Sequence, residues 1–395
     1  MTGSGRPSPL WSGPTGRILL VVAFGWFFSI GVRMVFPAIL PTIRTDLGIG
    51  LAAGGLLITL LYTVYGLGQF PGGVVGDAYG ERRVLVLSSI LAAVAIAVIV
   101  VSRSLWGLSI GLVCFGFATA LYAPSRFTIL SATFPKRDGT AIGVTLAAGN
   151  AGNALLPASA GVLALYLGWR VSLGFAVPFF LATAVLLYWA LPVRVERRSS
   201  EVVVSRSVFL GLLSALNDRA VIFVAVVLLL WNFTWQAFTG LYPSYLVSEK
   251  GFSTGIAATV FGTYFAMGLL IQPMSGAIRD RIGHRSVLTV IFAVAIPSLA
   301  LLPLANSLWA VLALTILVSS LLGASPVIFP YLIDALPDEL RASGLGFVRT
   351  GYMMLGASGP LAIGIVGDLG YFDAGFVLLG GLLFVALVLS RRFPS

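Results

Sequence analysis

The chain has 395 residues, of which 58% are hydrophobic and 10% charged, with 46 glycines and a formal net charge of +10. Soluble domains carry about 25% charged residues, so composition excludes a water-soluble globular enzyme and implies an integral membrane protein. One histidine and one cysteine, Cys114, leave no intramolecular disulfide and no Cys/His metal cluster, and neither a metal nor a cofactor is expected.

The opening stretch MTGSGRPSPLWSGPTGR is rich in Gly, Pro and Ser, and no small-residue cleavage site follows a short apolar region. Residues 1–17 therefore read as a disordered cytoplasmic tail, with the first apolar segment retained as a span. Backbone in lipid must satisfy its own hydrogen bonds, so the apolar segments predict helices. They fall near 18–41, 52–75, 84–102, 107–133, 139–165 and 170–192, then 221–246, 255–278, 286–304, 308–333, 342–366 and 374–390. The expected fold class is an all-α membrane protein with twelve transmembrane helices as two six-helix repeats. Its parts are an N-terminal bundle over 18–193, a charged cytoplasmic linker over 194–219 and a C-terminal bundle over 220–395.

Sorted by loop, with the N-terminus inside, seventeen Lys and Arg fall on the cytoplasmic side and four outside (Arg44, Arg103, Arg170 and Lys250). Arg33, Arg126 and Arg349 are left within spans. Under the positive-inside rule both termini are cytoplasmic, in a multi-pass protein of the cell (inner) membrane. The basic excess is thus a topology signal, with the bilayer rather than nucleic acid as partner.

A shift of 203 positions lays QFPGGVVGDAYGERRVL (Gln69–Leu85) on QPMSGAIRDRIGHRSVL (Gln272–Leu288), and also pairs Gly48 with Gly251, Pro157 with Pro360 and Gly161 with Gly364. One register over most of each half implies duplication of a six-helix unit. GGVVGDAYGERR and GAIRDRIGHR resemble the loop signature of the major facilitator superfamily, and the likeness extends to the 6+6 layout. The first copy departs from the pattern at Ala78 and Glu81. The resemblance implies a transporter with cytoplasmic rim charges that gate it: Asp77, Arg82 and Arg83 in the first half, Asp280, Arg281 and Arg285 in the second. Gly143, Gly152, Pro157 and Gly161 partly match an exchanger motif, but small residues also permit close helix packing, and packing is the preferred reading.

Arg33 interrupts the first span near its middle, where a guanidinium costs roughly 2.5–3.5 kcal/mol on insertion scales. Trp26, Ser29 and Pro37 share its helical face. Its counterpart at the 203 offset is Gln236, which lines up with Asn232, Thr239 and Pro243. The resemblance implies that these two helices line a central cavity. Every acidic residue maps to a loop or helix end, so the buried cations lack a protein anion, and the simplest compensating group is the substrate.

The expected site therefore holds a small organic anion on Arg33, with Arg349 as second contact and Arg126 as third. Ser29, Asn232, Gln236, Tyr65, Tyr264 and Tyr352 supply polar groups around them. Snorkelling to the interface is the alternative for Arg126 and Arg349. Asp334 is the single candidate for proton coupling. Anion exchange, facilitated transport and co-transport of a proton carried by the substrate stay open, and a monomer is expected. The rival within transport is efflux of drugs or hydrophobic compounds. An intramembrane protease would need a base beside a serine, or two intramembrane aspartates, and neither is present.

Overall fold

The structure is a computed structural model that describes residues 13–192, 219–335 and 341–391. Its first half runs α1 (Gly13–Leu47), α2 (Leu51–Tyr79), α3 (Glu81–Val101), α4 (Leu105–Thr133), α5 (Asp138–Gly174) and α6 (Ala176–Ala190). The second half runs α7 (Arg219–Ser248), α8 (Thr254–Leu301), α9 (Leu308–Val318), α10 (Ser325–Ala335), α11 (Arg341–Ala357), α12 (Gly359–Asp368) and α13 (Phe372–Ser390).

The tail expected over 1–17 ends early, because α1 already begins at Gly13, and Pro14 carries the fixed φ that suits a first helical turn. Residues 1–12, and all of the linker expected at 194–219 except Arg219, lie outside the described residues.

Among the described residues, ten helical stretches are long and apolar enough to cross a membrane. Two of them, Asp138–Ala190 and Thr254–Leu304, have 53 and 51 residues, whereas one span needs about 20. Each bends at a glycine, Gly168 (φ +77°) and Gly283 (φ +78°), in a backbone region that L-residues with a Cβ rarely enter.

The 203-residue register reappears in the backbone. Gly80 (φ +83°) and Gly283 turn the two signature loops, while Gly48 (φ +62°) and Gly251 (φ +67°) follow α1 and α7. Ser104 and Ser307 cap α4 and α9, each accepting at 3.2 Å from the backbone N–H three residues on. Trp106 and Trp309, again 203 apart, are 80% and 77% exposed beside those caps, as suits aromatic rings at a headgroup layer.

Packing follows the same symmetry. In the first half α5 lies against α1, and the halves meet through α5 with α8 and through α2 with α12. A side chain at Gly152 would collide with the Phe27 carbonyl of α1, and one at Gly161 with Ala258 of α8. Gly143 has open space around it. Gly152 and Gly161 are therefore packing positions. At the face where α1 ends, Asp368 closes α12 and accepts from the backbone N–H groups of Leu51 (2.6 Å) and Ala52 (2.9 Å), which begin α2. A carboxylate suits those otherwise unpaired N-terminal donors.

Candidate functional site

The polar stripe of α1 is buried as its spacing requires, with Trp26, Ser29 and Arg33 at 4%, 1% and 3% exposure. The Arg33 guanidinium lies 3.5 Å from the ring centre of Tyr65 on α2 and 6.0 Å from that of Trp26. Arg126 of α4 is equally buried and stacks on Trp26 at 3.6 Å. It also donates to the Thr145 hydroxyl of α5 at 3.1 Å, so it does not snorkel. Trp26 thus serves both arginines. Its own ring stacks on Tyr122, whose hydroxyl donates to the Val22 carbonyl at 3.0 Å. The absence of a side chain at Gly149 leaves room for the Trp26 indole.

Arg349 of α11 is exposed and lies within electrostatic range of Arg126 and of the buried Tyr352. Tyr65 and Tyr352 likewise interact. On α7, Gln236 donates to Asn232 at 2.6 Å and to the Met353 carbonyl of α11 at 3.3 Å, and Met353 lies 3.8 Å from the Gln69 amide of α2. Met353 of α11 thus links α7 of the second half to α2 of the first. Tyr264 is placed differently, packing on Phe238 and Phe265 in the aromatic core of the second half.

Among the described residues no carboxylate pairs with Arg33, Arg126 or Arg349, and the Nε atoms of Arg33 and Arg126 are closed off without an acceptor. Ring stacking recovers about 0.5–2 kcal/mol per cation, less than the several kcal/mol that burying an ion costs. What remains is an electropositive cluster whose guanidinium planes lie against aromatic faces, with one Arg126 N–H given to Thr145 and no carboxylate among the described residues on the rest. Such a group can grip a carboxylate or phosphate bidentately.

Spacing and composition missed Tyr122 and Thr145 as members of this cluster. Tyr122 stands four residues before Arg126 and so one helical turn away on the same face, which is the signal that could have found it. Nothing in the sequence ties Thr145 to Arg126, since they meet only because α5 packs beside α4.

The rim residues are placed differently in the two halves. Among the described residues Asp77 is exposed and makes no hydrogen bond or ion pair. Arg82 stacks on Tyr188 at 4.3 Å, and Arg83 lies beside it, exposed. Asp280 pairs at 2.7 Å with Arg279, its chain neighbour, while Arg281 is exposed and Arg285 lines a shallow recess with Arg391. Short-range geometry explains the difference, because adjacent residues reach each other without any helix moving. Asp334 falls in the last turn of α10, and its side chain lies outside the described residues.

The Major Facilitator Superfamily matches residues 22–325 and 255–394. The chain is 24% identical over 388 residues to a hexuronate transporter of Bacillus subtilis (strain 168), covering 89% of this chain and 88% of that one. It is 26% identical over 399 residues to a cis,cis-muconate transport protein of Acinetobacter baylyi, covering 96% and 94%. Its fold is similar to that of a bacterial homologue of the human lysosomal transporter Spinster, at a TM-score of 0.80, 14% identity and 98% coverage of both chains.

Proposed function

Because the chain belongs to the Major Facilitator Superfamily and is a multi-pass membrane transporter rather than an enzyme, we propose that it moves a small organic anion by alternating access. The observation that carries this reading is the cluster of Arg33, Arg126 and Arg349 around Trp26, Tyr65 and Tyr352, with no carboxylate paired to any of them among the described residues. A transported anion supplies the missing charge. Two relatives named for hexuronate and muconate support a carboxylate as the substrate class.

In this reading the 53- and 51-residue stretches count as two spans each, divided at Gly168 and Gly283, which makes twelve. The halves are the bundles 18–193 and 220–395 joined by the linker 194–219. The end of α1 faces outward and both termini face the cytoplasm. The Asp368 contact to α2 ties the two halves together at the end where α1 finishes, which supports a conformation closed on that side. The charges at Asp77, Arg82, Arg83, Asp280, Arg281 and Arg285 form their partnerships in the opposite state. A counter-moving anion or a proton, with Asp334 as its carrier, completes the cycle in a monomer.

Uptake into proteoliposomes tests the reading, with labelled muconate, a hexuronate and a lipophilic cation compared side by side. Saturable carboxylate flux that Arg33→Gln abolishes is expected. Flux of the lipophilic cation alone would replace this reading with efflux of hydrophobic compounds.

A further inference from the structure

We infer that a second anion site lies in the recess between the ends of α1 and α7, with Arg44 as its cation, occupied by the transported anion on its way to or from Arg33. The inference rests on the anion reading of the central cluster. Arg44 stands eleven residues after Arg33, which is three helical turns, so both lie on one face of α1 about 16 Å apart along the axis. The recess measures about 340 Å³ and is lined by Pro41, Arg44 and Thr45 from α1 and by Ser244, Val247 and Ser248 from α7. It thus sits between the same two helices that carry Arg33 and Gln236.

Two polar groups in this recess lack partners. The Arg44 Nε is closed off without an acceptor, and so is the hydroxyl of Ser244, a residue with 0% exposure. Ser248 and Thr45 spend their protons on the carbonyls of Ser244 and Pro41, which leaves Ser244 as the lining hydroxyl whose proton is uncommitted.

Among the described residues no ion pair accounts for Arg44. Asp368 lies within electrostatic range, but its two oxygens are taken by the N–H groups of Leu51 and Ala52 and it forms no ion pair with Arg44. Asp46, two residues on, is taken by Arg170 at 2.6 Å. Lys250, also at this face, donates to the Pro303 carbonyl at 2.6 Å. Arg44 and Ser244 therefore line one recess, each with an unpartnered polar atom. A planar fork plus one hydroxyl donor suits a carboxylate or phosphate, and a guanidinium on the approach to a cationic centre offers the anion an intermediate stop.

The test uses the purified full chain in a Cys114→Ala background carrying Ser248→Cys at the mouth of the recess. The rate of reaction with an uncharged maleimide is measured with cis,cis-muconate, inorganic phosphate or chloride at equal ionic strength, and thermal stabilisation by the same anions is recorded alongside. Muconate or phosphate is expected to slow labelling several-fold relative to chloride. That protection should vanish in Arg44→Gln, weaken in Ser244→Ala and persist in Arg33→Gln. Arg44→Lys, which keeps charge without the fork, should give partial protection, and it replaces Arg44→Gln if the latter fails to fold. Protection that survives Arg44→Gln and Ser244→Ala overturns the site. Protection lost in Arg33→Gln also overturns it, since the thiol would then report a conformational change driven from the centre. Arg33-dependent thermal stabilisation without any protection overturns the outer site and leaves the central reading standing. Neither signal with any anion overturns both.

Discussion

Arg33→Gln separates an anion anchor from a structural cation. The guanidinium sits 3.5 Å from the Tyr65 ring and 6.0 Å from Trp26, interactions together worth about 2 kcal/mol at a desolvated position. Against this, removing the charge ends its repulsion with Arg126 and the cost of keeping an unpaired ion buried. The relief is at least as large as the lost stacking, so stability without ligand should hold or rise. Binding responds differently. Two charge-assisted hydrogen bonds to an anion are lost, and at about 1.5 kcal/mol each that weakens affinity roughly 100-fold. At an anion concentration about 100 times the wild-type Kd, ligand-induced stabilisation should fall from about 2.7 kcal/mol to about 0.4 kcal/mol. Thermal unfolding of the purified protein with and without muconate measures both quantities. A full ligand shift in Arg33→Gln would refute the anchoring role. So would a drop of about 3 kcal/mol or more without ligand, which is the signature of a broken buried pair.

Asp368→Asn leaves one acceptor where two backbone donors of α2 are now satisfied, and removes a negative charge from a helix N-terminus, a change worth about 1–2 kcal/mol against the contact between α12 and α2. Spin labels at the exposed positions Arg103 and Leu369 should then show a longer distance, and an unchanged distribution would mean that the Asp368 contact does not hold the two halves together at this end. Gly152→Leu drives a side chain into the Phe27 carbonyl and should cost about 3 kcal/mol or abolish folding, while Gly143→Leu, which meets open space, should be nearly neutral in the same unfolding assay. With Cys114 replaced, cysteines at Arg82 and Asp46 should differ in intact cells: an impermeant thiol reagent should label position 46 and spare position 82. The reverse pattern would invert the topology.

The class of protein is legible in composition alone. A chain this apolar has no soluble solution, and lipid leaves helices as the way for its segments to satisfy their own backbone. The 203-residue register identifies the repeat, and glycines that recur at that spacing turn the chain at equivalent points because they alone take up positive φ without strain. Arg33, Ser29 and Trp26 are legible as one face, since periodicity along a single helix is a local property. What stacks on that face is not. Tyr65 reaches Arg33 from α2, Arg126 shares Trp26 from α4, and Thr145 joins from α5, contacts between residues far apart in sequence that exist only once α1, α2, α4 and α5 pack. The rim charges show the same limit from the other side. Their types and spacing mark the loops, but not that Asp280 pairs with its own neighbour Arg279 while Asp77 stands exposed and without an ion pair among the described residues. Helix propensity and hydropathy are additive along the chain, whereas charge compensation depends on three-dimensional distance, and that is decided by the packing of helices alone.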